Sequence, residues 1–228
     1  MRLAAAALLA LLATPGVRAD PIDLGEAATF GILSTTLTAN IGVTSVMGDA
    51  GYTTLSGSGT LVVGGTTYTP SPAQAIADQA TALGVLNALT CSYAFATGDI
   101  DLATDTSHGP AGVFTPGVYC VDGIMDLGGG ATLTLTGRGE YVFRSTGAFN
   151  TSASSRVVLL GGAESFDVYW VPAGAVTLGA ASLFQGTVIT DAAITAGGRR
   201  PGPAGPWPRS IRSPSPPPAC RCPPSCPS

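Results

Sequence analysis

The segments GAFNTSASSRVVLLGGA (147–163) and GAVTLGAASLFQGTVITDA (174–192) rhyme. Each holds a short apolar strand, a corner of small residues, and a second apolar strand. The rhyme returns after roughly 28 residues, which fits one turn of a coil with insertions. Repetition of this kind favours a β-solenoid. A β-sandwich is the alternative, because it too is built from short strands with regular turn signals. Residues 175–195 carry one charged side chain, Asp191, and neither His nor Cys. A surface this bland is poorly equipped for catalysis.

Strands continue on both sides of the rhyme. GVFTPGVYCV (112–121), EYVFRST (140–146) and DVYWVPA (167–173) are apolar runs between turn residues. Towards the N-terminus, DLGEAATFGILSTTLTANIGVTSVMGDAG (23–51) reads as strands broken at Gly and Asn. YTTLSGSGTLVVGGTTYTP (52–70) is rich in turn residues and reads as a loop or short hairpin capping one end. The segment SPAQAIADQATALGVLNALT (71–90) differs and predicts a helix over about 72–90. Ser71 is placed as N-cap, Pro72 fits the first helical position, and Gln74 completes a capping box. Ile76, Leu83, Leu86 and Leu89 fall on one broad face. Gly84 weakens the helix by up to about 1 kcal/mol relative to Ala, and is expected to allow close packing against strands. Such a helix spans about 28 Å, enough to lie along about six strands stacked at about 4.8 Å.

The chain has 228 residues, enough for one domain with a real core. Charged residues are 11%, against roughly 25% in an average soluble protein. From residue 20 to 198 there are fourteen acids and three Arg, and the ten basic residues of the chain are all Arg. An acidic body argues against nucleic acid as the main partner, since phosphate binding needs clustered basic side chains. Residues 1–19, MRLAAAALLALLATPGVRA, read as a secretory signal peptide, with an apolar run too short to span a membrane. The expected mature body is 20–198, in an oxidising compartment.

The pieces DLGEAATFGILSTT (23–36), GDAG (48–51), AQAIADQATAL (73–83), FTPGVYCV (114–121), LTLTGRGEYVFRS (133–145) and SSRVVLLGGAESFDVYWVPAGAVTLGAASLFQGTVIT (154–190) occur in that order. As a set they resemble the microbial ice-binding (antifreeze) proteins of the DUF3494 type, over about residues 22–198. The resemblance implies a mainly β fold: a discontinuous right-handed β-solenoid with one long α-helix packed alongside. It implies that the N-terminal strands pack near the C-terminal coils. It also implies that Cys91, at the helix end, reaches Cys120 to form a disulfide.

Ice is an uncharged, repeating lattice of hydrogen-bonding oxygens. A binder needs flatness and regular spacing more than any reactive group. Thr offers a methyl and a hydroxyl on a stiff β-branched side chain. The resemblance implies one flat face of irregular Thr, Ser, Ala and Gly, and the segments that match it are LTANIGVT (37–44), AFNTSASS (148–155), VTLGAAS (176–182) and ITAGG (194–198). They nominate Thr38, Asn40, Thr44, Thr151, Ser152, Ser154, Thr177, Ala180, Ser182 and Thr195 as the ice-binding face. The expected protein is a secreted monomer with no enzymatic activity, no cofactor, no metal and no membrane span. Its partner is the ice crystal surface. The alternative is an adhesive or carbohydrate-binding solenoid, which an exposed row of aromatics would favour. The sequon Asn150-Thr151-Ser152 lies against the nominated face.

Other candidates are weaker. His108, the only His, sits in the loop TDTSHGP (104–110) and reads as a solvated turn residue. Asp99, Asp101 and Asp105 lack the remaining ligands of a calcium loop and read as a solvated acidic loop. Tyr169 and Trp170 read as core. After Gly198 the chain becomes RRPGPAGPWPRSIRSPSPPPACRCPPSC (199–226), which is Pro- and Arg-rich without strand periodicity. Its Cys220, Cys222 and Cys226 fit no standard zinc spacing. Residues 199–228 are expected to be disordered. A basic linker is one reading; a reading-frame change or retained intron replacing the last coil is the one favoured here.

Overall fold

The structure is a computed structural model that describes residues 22–39, 43–46 and 48–197. The expected signal peptide and the 199–228 tail lie outside the described residues. Small and turn-forming residues interrupt the chain every few positions, so its strands are short. After a 3-10 turn at Gly25–Thr29 come β1 (Phe30–Leu33), β2 (Thr36–Ala39), β3 (Val43–Val46), β4 (Asp49–Gly51), β5 (Thr54–Ser56), β6 (Thr60–Val63) and β7 (Thr67–Tyr68). The helix α1 (Ala73–Ala88) follows. Then come β8 (Tyr93–Ala94), β9 (Ile100–Asp101), β10 (Val113–Phe114), β11 (Gly117–Val121), β12 (Met125–Leu127) and β13 (Thr132–Thr136). The last are β14 (Tyr141–Ser145), β15 (Phe149–Thr151), β16 (Arg156–Leu160), β17 (Val168–Pro172), β18 (Val176–Leu178), β19 (Thr187–Val188) and β20 (Ile194–Ala196).

From β11 to β18 consecutive strands enter three different sheets in rotation. One sheet has the order β19-β17-β14-β11-β8, one β10-β13-β16, and one β5-β2-β20-β18-β15-β12-β9. Met125 pairs with Phe149, Phe149 with Val176, and Val176 with Ile194, so the chain returns after 24, 27 and then 18 residues. These pairs are parallel, which overturns the sandwich alternative, because sandwich sheets are antiparallel. The seven-stranded sheet is discontinuous in sequence: β2 lies beside β20, parallel and in register. The 52–70 segment is not a hairpin either. Its β5 pairs parallel with β2, its β6 with β3, and its β7 with β4. A hairpin would make neighbouring strands antiparallel; here each strand goes to a different sheet.

Strand alternation sends every second side chain inward. Tyr119, Phe143 and Trp170 are register partners on β11, β14 and β17, and their rings stack along the axis. Tyr119 and Phe143 have centroids 5.3 Å apart, and Phe143 and Trp170 4.5 Å. Phe149 stacks on the other side of Trp170 at 4.7 Å. Trp170 donates its indole N–H to the Gln185 carbonyl, so the buried polar atom is satisfied. Corners also repeat. Gly130, Ser154 and Ala181 adopt the left-handed region with φ of 67°, 62° and 58°. Ser155 and Ser182 donate their hydroxyls back to the carbonyls of Ser152 and Gly179, closing equivalent turns.

The helix lies on the five-stranded sheet. Ala82 and Leu86 pack with Val142, Tyr169, Val171 and Ile189. Three details differ from the sequence reading. The N-cap is Pro72, with no side-chain cap hydrogen bond, and Gln74 instead donates to Asp78. The buried side chains are Ala75, Ala82 and Leu86, while Ile76 is 46% exposed. Gly84 has no atom within 4 Å of where a Cβ would sit, so it does not mark a close approach. The helix's C-terminal end is held from below. Arg144 of β14 donates to the carbonyls of Leu86, Asn87 and Leu89, satisfying groups that a helix end leaves open. Beside it Cys91 and Cys120 form a disulfide, with Cα atoms 5.9 Å apart. Closing that loop is worth about 3–4 kcal/mol through the unfolded state.

Candidate functional site

The five-stranded sheet is covered by α1. The outward side of β10-β13-β16 carries Arg156 and Leu160, both exposed. The seven-stranded sheet is different. Its inward column is buried from β2 to β12, at Leu37, Ile194, Val176, Phe149 and Met125, while the register partners on the outer strands, Leu55 and Ile100, are exposed and half-buried. Alternation then fixes the outward column, which reads Ser56, Thr38, Thr195, Thr177, Asn150, Asp126, Asp101 from β5 to β9. These residues are in register on neighbouring strands, spaced by about 4.8 Å. The hydroxyls of Thr38 and Ser56 are hydrogen-bonded at 2.9 Å. Asn150 donates its amide to the Asp126 carboxylate at 3.0 Å.

Three nominated residues, Thr38, Thr195 and Thr177, meet on adjacent strands in this column. Ser152, Ser154 and Ala180 are exposed in the corner turns at its rim. Two nominations are corrected. Thr151 is 3% exposed, and its hydroxyl accepts the Gly179 N–H at 2.9 Å. It follows outward-facing Asn150, so alternation turns it inward. Ser182 is 7% exposed, its hydroxyl spent on its own turn. Thr44 belongs to β3, which pairs with β6 in a separate two-stranded sheet, so its strand is not part of this surface. Asn40 lies outside the described residues. Ser56 joins the column without having been nominated. The signal for it is the echo of STTLT (34–38) in YTTLS (52–56), which pairs Thr38 with Ser56.

The chemistry of the column is hydroxyl, amide and carboxylate, without a nucleophile–base pair. Among the described residues no group of three or more His, Cys, Asp and Glu is placed to hold a metal. Asp99 accepts the Ile124 N–H and Asp101 the Ala103 N–H, so these carboxylates tie turns together. His108 is not solvated: its side chain is 3% exposed and its ring stacks on Phe114, centroids 3.9 Å apart. The apolar wall of Phe95, Phe114 and Tyr119 draws it in.

Three groups perturbed by burial, Glu140, Tyr141 and Tyr169, lie away from the column. Burial, with the Asp167 charge nearby, raises the Glu140 carboxyl. Burial, with the neighbouring Tyr119 and Asp167, pushes the Tyr141 phenol up to about 12. Burial also pushes Tyr169 up to about 12, with Glu140 adding to it. Trp170 is fully buried, and the exposed aromatics among the described residues, Tyr68 and Phe166, lie off this sheet. No helix among the described residues is long and apolar enough to cross a membrane.

The profile of the Ice-binding-like family matches residues 25–199, and the chain belongs to that family. An ice-binding protein of Flavobacterium frigoris (strain PS1) is 29% identical over 191 residues, which cover 78% of this chain and 68% of that protein. The crystal structure of an ice-binding protein from the Antarctic ascomycete Antarctomyces psychrotrophicus is similar at a TM-score of 0.61 and 28% identity, covering 79% of this chain and 97% of the other. The fold is also shared with an ice-binding protein from an Antarctic biological consortium, at a TM-score of 0.64 and 23% identity, covering 80% and 91%.

Proposed function

We propose that the protein is exported, and that as a monomeric, non-catalytic binder it adsorbs to ice through the outward side of the seven-stranded sheet. Adsorption shapes crystals and slows their growth and recrystallisation. The family and its ice-binding relatives support the ligand. The in-register hydroxyls of Ser56, Thr38, Thr195 and Thr177 carry the choice of face. The coil is taken as a discontinuous right-handed solenoid, as the resemblance implies. The leader-like composition of residues 1–19 and the Cys91–Cys120 disulfide support export.

The physical argument is one of matching order to order. A Thr side chain in a strand has little χ1 freedom, so little entropy is lost on contact. Its methyl and hydroxyl together organise a water layer that joins the lattice, and such a contact is wet without being weak. The stacked aromatic core keeps the strands from shifting. Thr177→Tyr is the test. Thr177 is exposed at mid-column, so a ring there lifts the sheet off the lattice without disturbing the core. Crystal shaping and thermal hysteresis should be lost at an unchanged melting temperature. Unaltered shaping would mean the face lies elsewhere.

A further inference from the structure

We propose that Asp126 and Asp101 terminate the ice-contact surface: they occupy the last two outward positions of the column and confine it to the rungs from Ser56 to Asn150. The inference rests on the face proposed above and says where that face ends.

Register places the two carboxylates. Asp126 pairs with Asn150 on β15 and with Asp101 on β9, so the column continues through them without a break in geometry. Chemistry changes where geometry does not. The first four rungs are neutral hydroxyls. At the fifth, the Asn150 amide turns along the sheet to donate to Asp126. The last two rungs are acids about one strand spacing apart, and among the described residues neither meets a basic side chain. Carboxylates keep strongly held water, and removing it without a compensating cation is costly. An ice lattice offers no cation. Neighbouring like charges also repel. The acidic rungs therefore hold liquid water, and the lattice contact stops before them.

A structural reason keeps acids there. β9 is the outer strand of the sheet at this end. Unpaired edges template unwanted pairing, and charge on an edge discourages it. Asp101 also accepts the Ala103 N–H at 2.9 Å, which ends β9 in a turn. The Asp101 carbonyl accepts the Thr104 and Asp105 N–H groups as well, so the turn after β9 closes over this edge and the two carboxylates add charge to it.

The experiment is a gain of activity. Asp126→Thr combined with Asp101→Asn removes both charges and leaves an acceptor for the Ala103 N–H. The double variant and Thr177→Tyr are compared with wild type by thermal hysteresis and recrystallisation assays on the full chain, with melting temperatures as a check on folding. We expect at least a doubling of thermal hysteresis in the double variant and a loss in Thr177→Tyr. If Thr177→Tyr loses activity while the double variant merely equals wild type, the proposal is overturned and the face stands. If Thr177→Tyr keeps full activity, the face is wrong and this proposal falls with it. Should the double variant not fold, Asp126→Asn, which is isosteric, decides the matter on the same criterion: a rise supports termination, and no rise overturns it.

Discussion

At the scale of single residues, alternation is the decisive rule. Asn150 and Thr151 are neighbours, yet one faces out and the other lies in the core. Both are ordinary residues for a Thr-rich strand, and composition alone does not order them. Placing Tyr at Thr151 would overpack the interior and report on folding rather than on ice. The Glu140 carboxyl shows another effect hidden from sequence. One of its oxygens is buried without a hydrogen-bond partner, and the folded state raises its pKa above the ordinary 4.5. The folded chain then binds this proton more tightly than the unfolded chain. Stability is greatest below the ordinary value and is lost as pH rises through the raised one. Glu140→Gln should raise the melting temperature at neutral pH and flatten its decline between acid and neutral pH. Parallel melting curves for variant and wild type across that range would refute this.

At the scale of elements, the helix is legible in sequence and its anchoring is not. A long run of good helix formers between Pro72 and the Cys91 turn predicts helix over 72–90, and α1 spans Ala73–Ala88. Its buried side is built on Ala75 and Ala82, which let it sit close to the sheet, rather than on Ile76. Apolar spacing alone cannot rank Ala against Ile when the opposing surface is unknown. Gly84 faces open space, so a methyl group meets nothing there. Gly84→Ala should therefore stabilise the protein by about 0.5–1 kcal/mol, through helix propensity and a less flexible unfolded chain. Chemical denaturation measures it; destabilisation would show that the Gly84 side of the helix is not open. The 52–70 segment reads as a loop or short hairpin in sequence because turn residues suit a loop, a hairpin and a coil corner equally.

At the scale of the molecule, the N-terminal and C-terminal strands meet. β2 pairs with β20, which joins Thr38 to Thr195 across a sequence gap that no local signal bridges. On the helix-covered side, β1 and β19 belong to different sheets. There Gln79 of α1 donates to the Leu33 carbonyl at 3.4 Å and the Thr190 carbonyl at 2.7 Å, one on each side of the junction. Removing this amide leaves two carbonyls without their donor. Gln79→Ala should cost about 1–3 kcal/mol. It should also speed hydrogen exchange in β1 and β2 while β11, β14 and β17 stay protected. Uniform exchange in the variant would show that Gln79 holds no junction.

The sequence by itself determined the features that local chemistry dictates. The short strands, the single helix, the charge-poor character of 175–195 and the coil-length rhyme all come from spacing and residue type. The small-residue segments reached Thr177 and Thr195, whose neighbours are residues in adjoining coils. Tertiary structure alone decided which side of each strand meets solvent, the register in which β2 joins β20, and how the hydroxyl column runs on into Asp126 and Asp101. The reason is physical: parallel strands contribute one residue per rung, and each rung comes from a distant part of the chain. A surface assembled that way has no continuous trace in sequence.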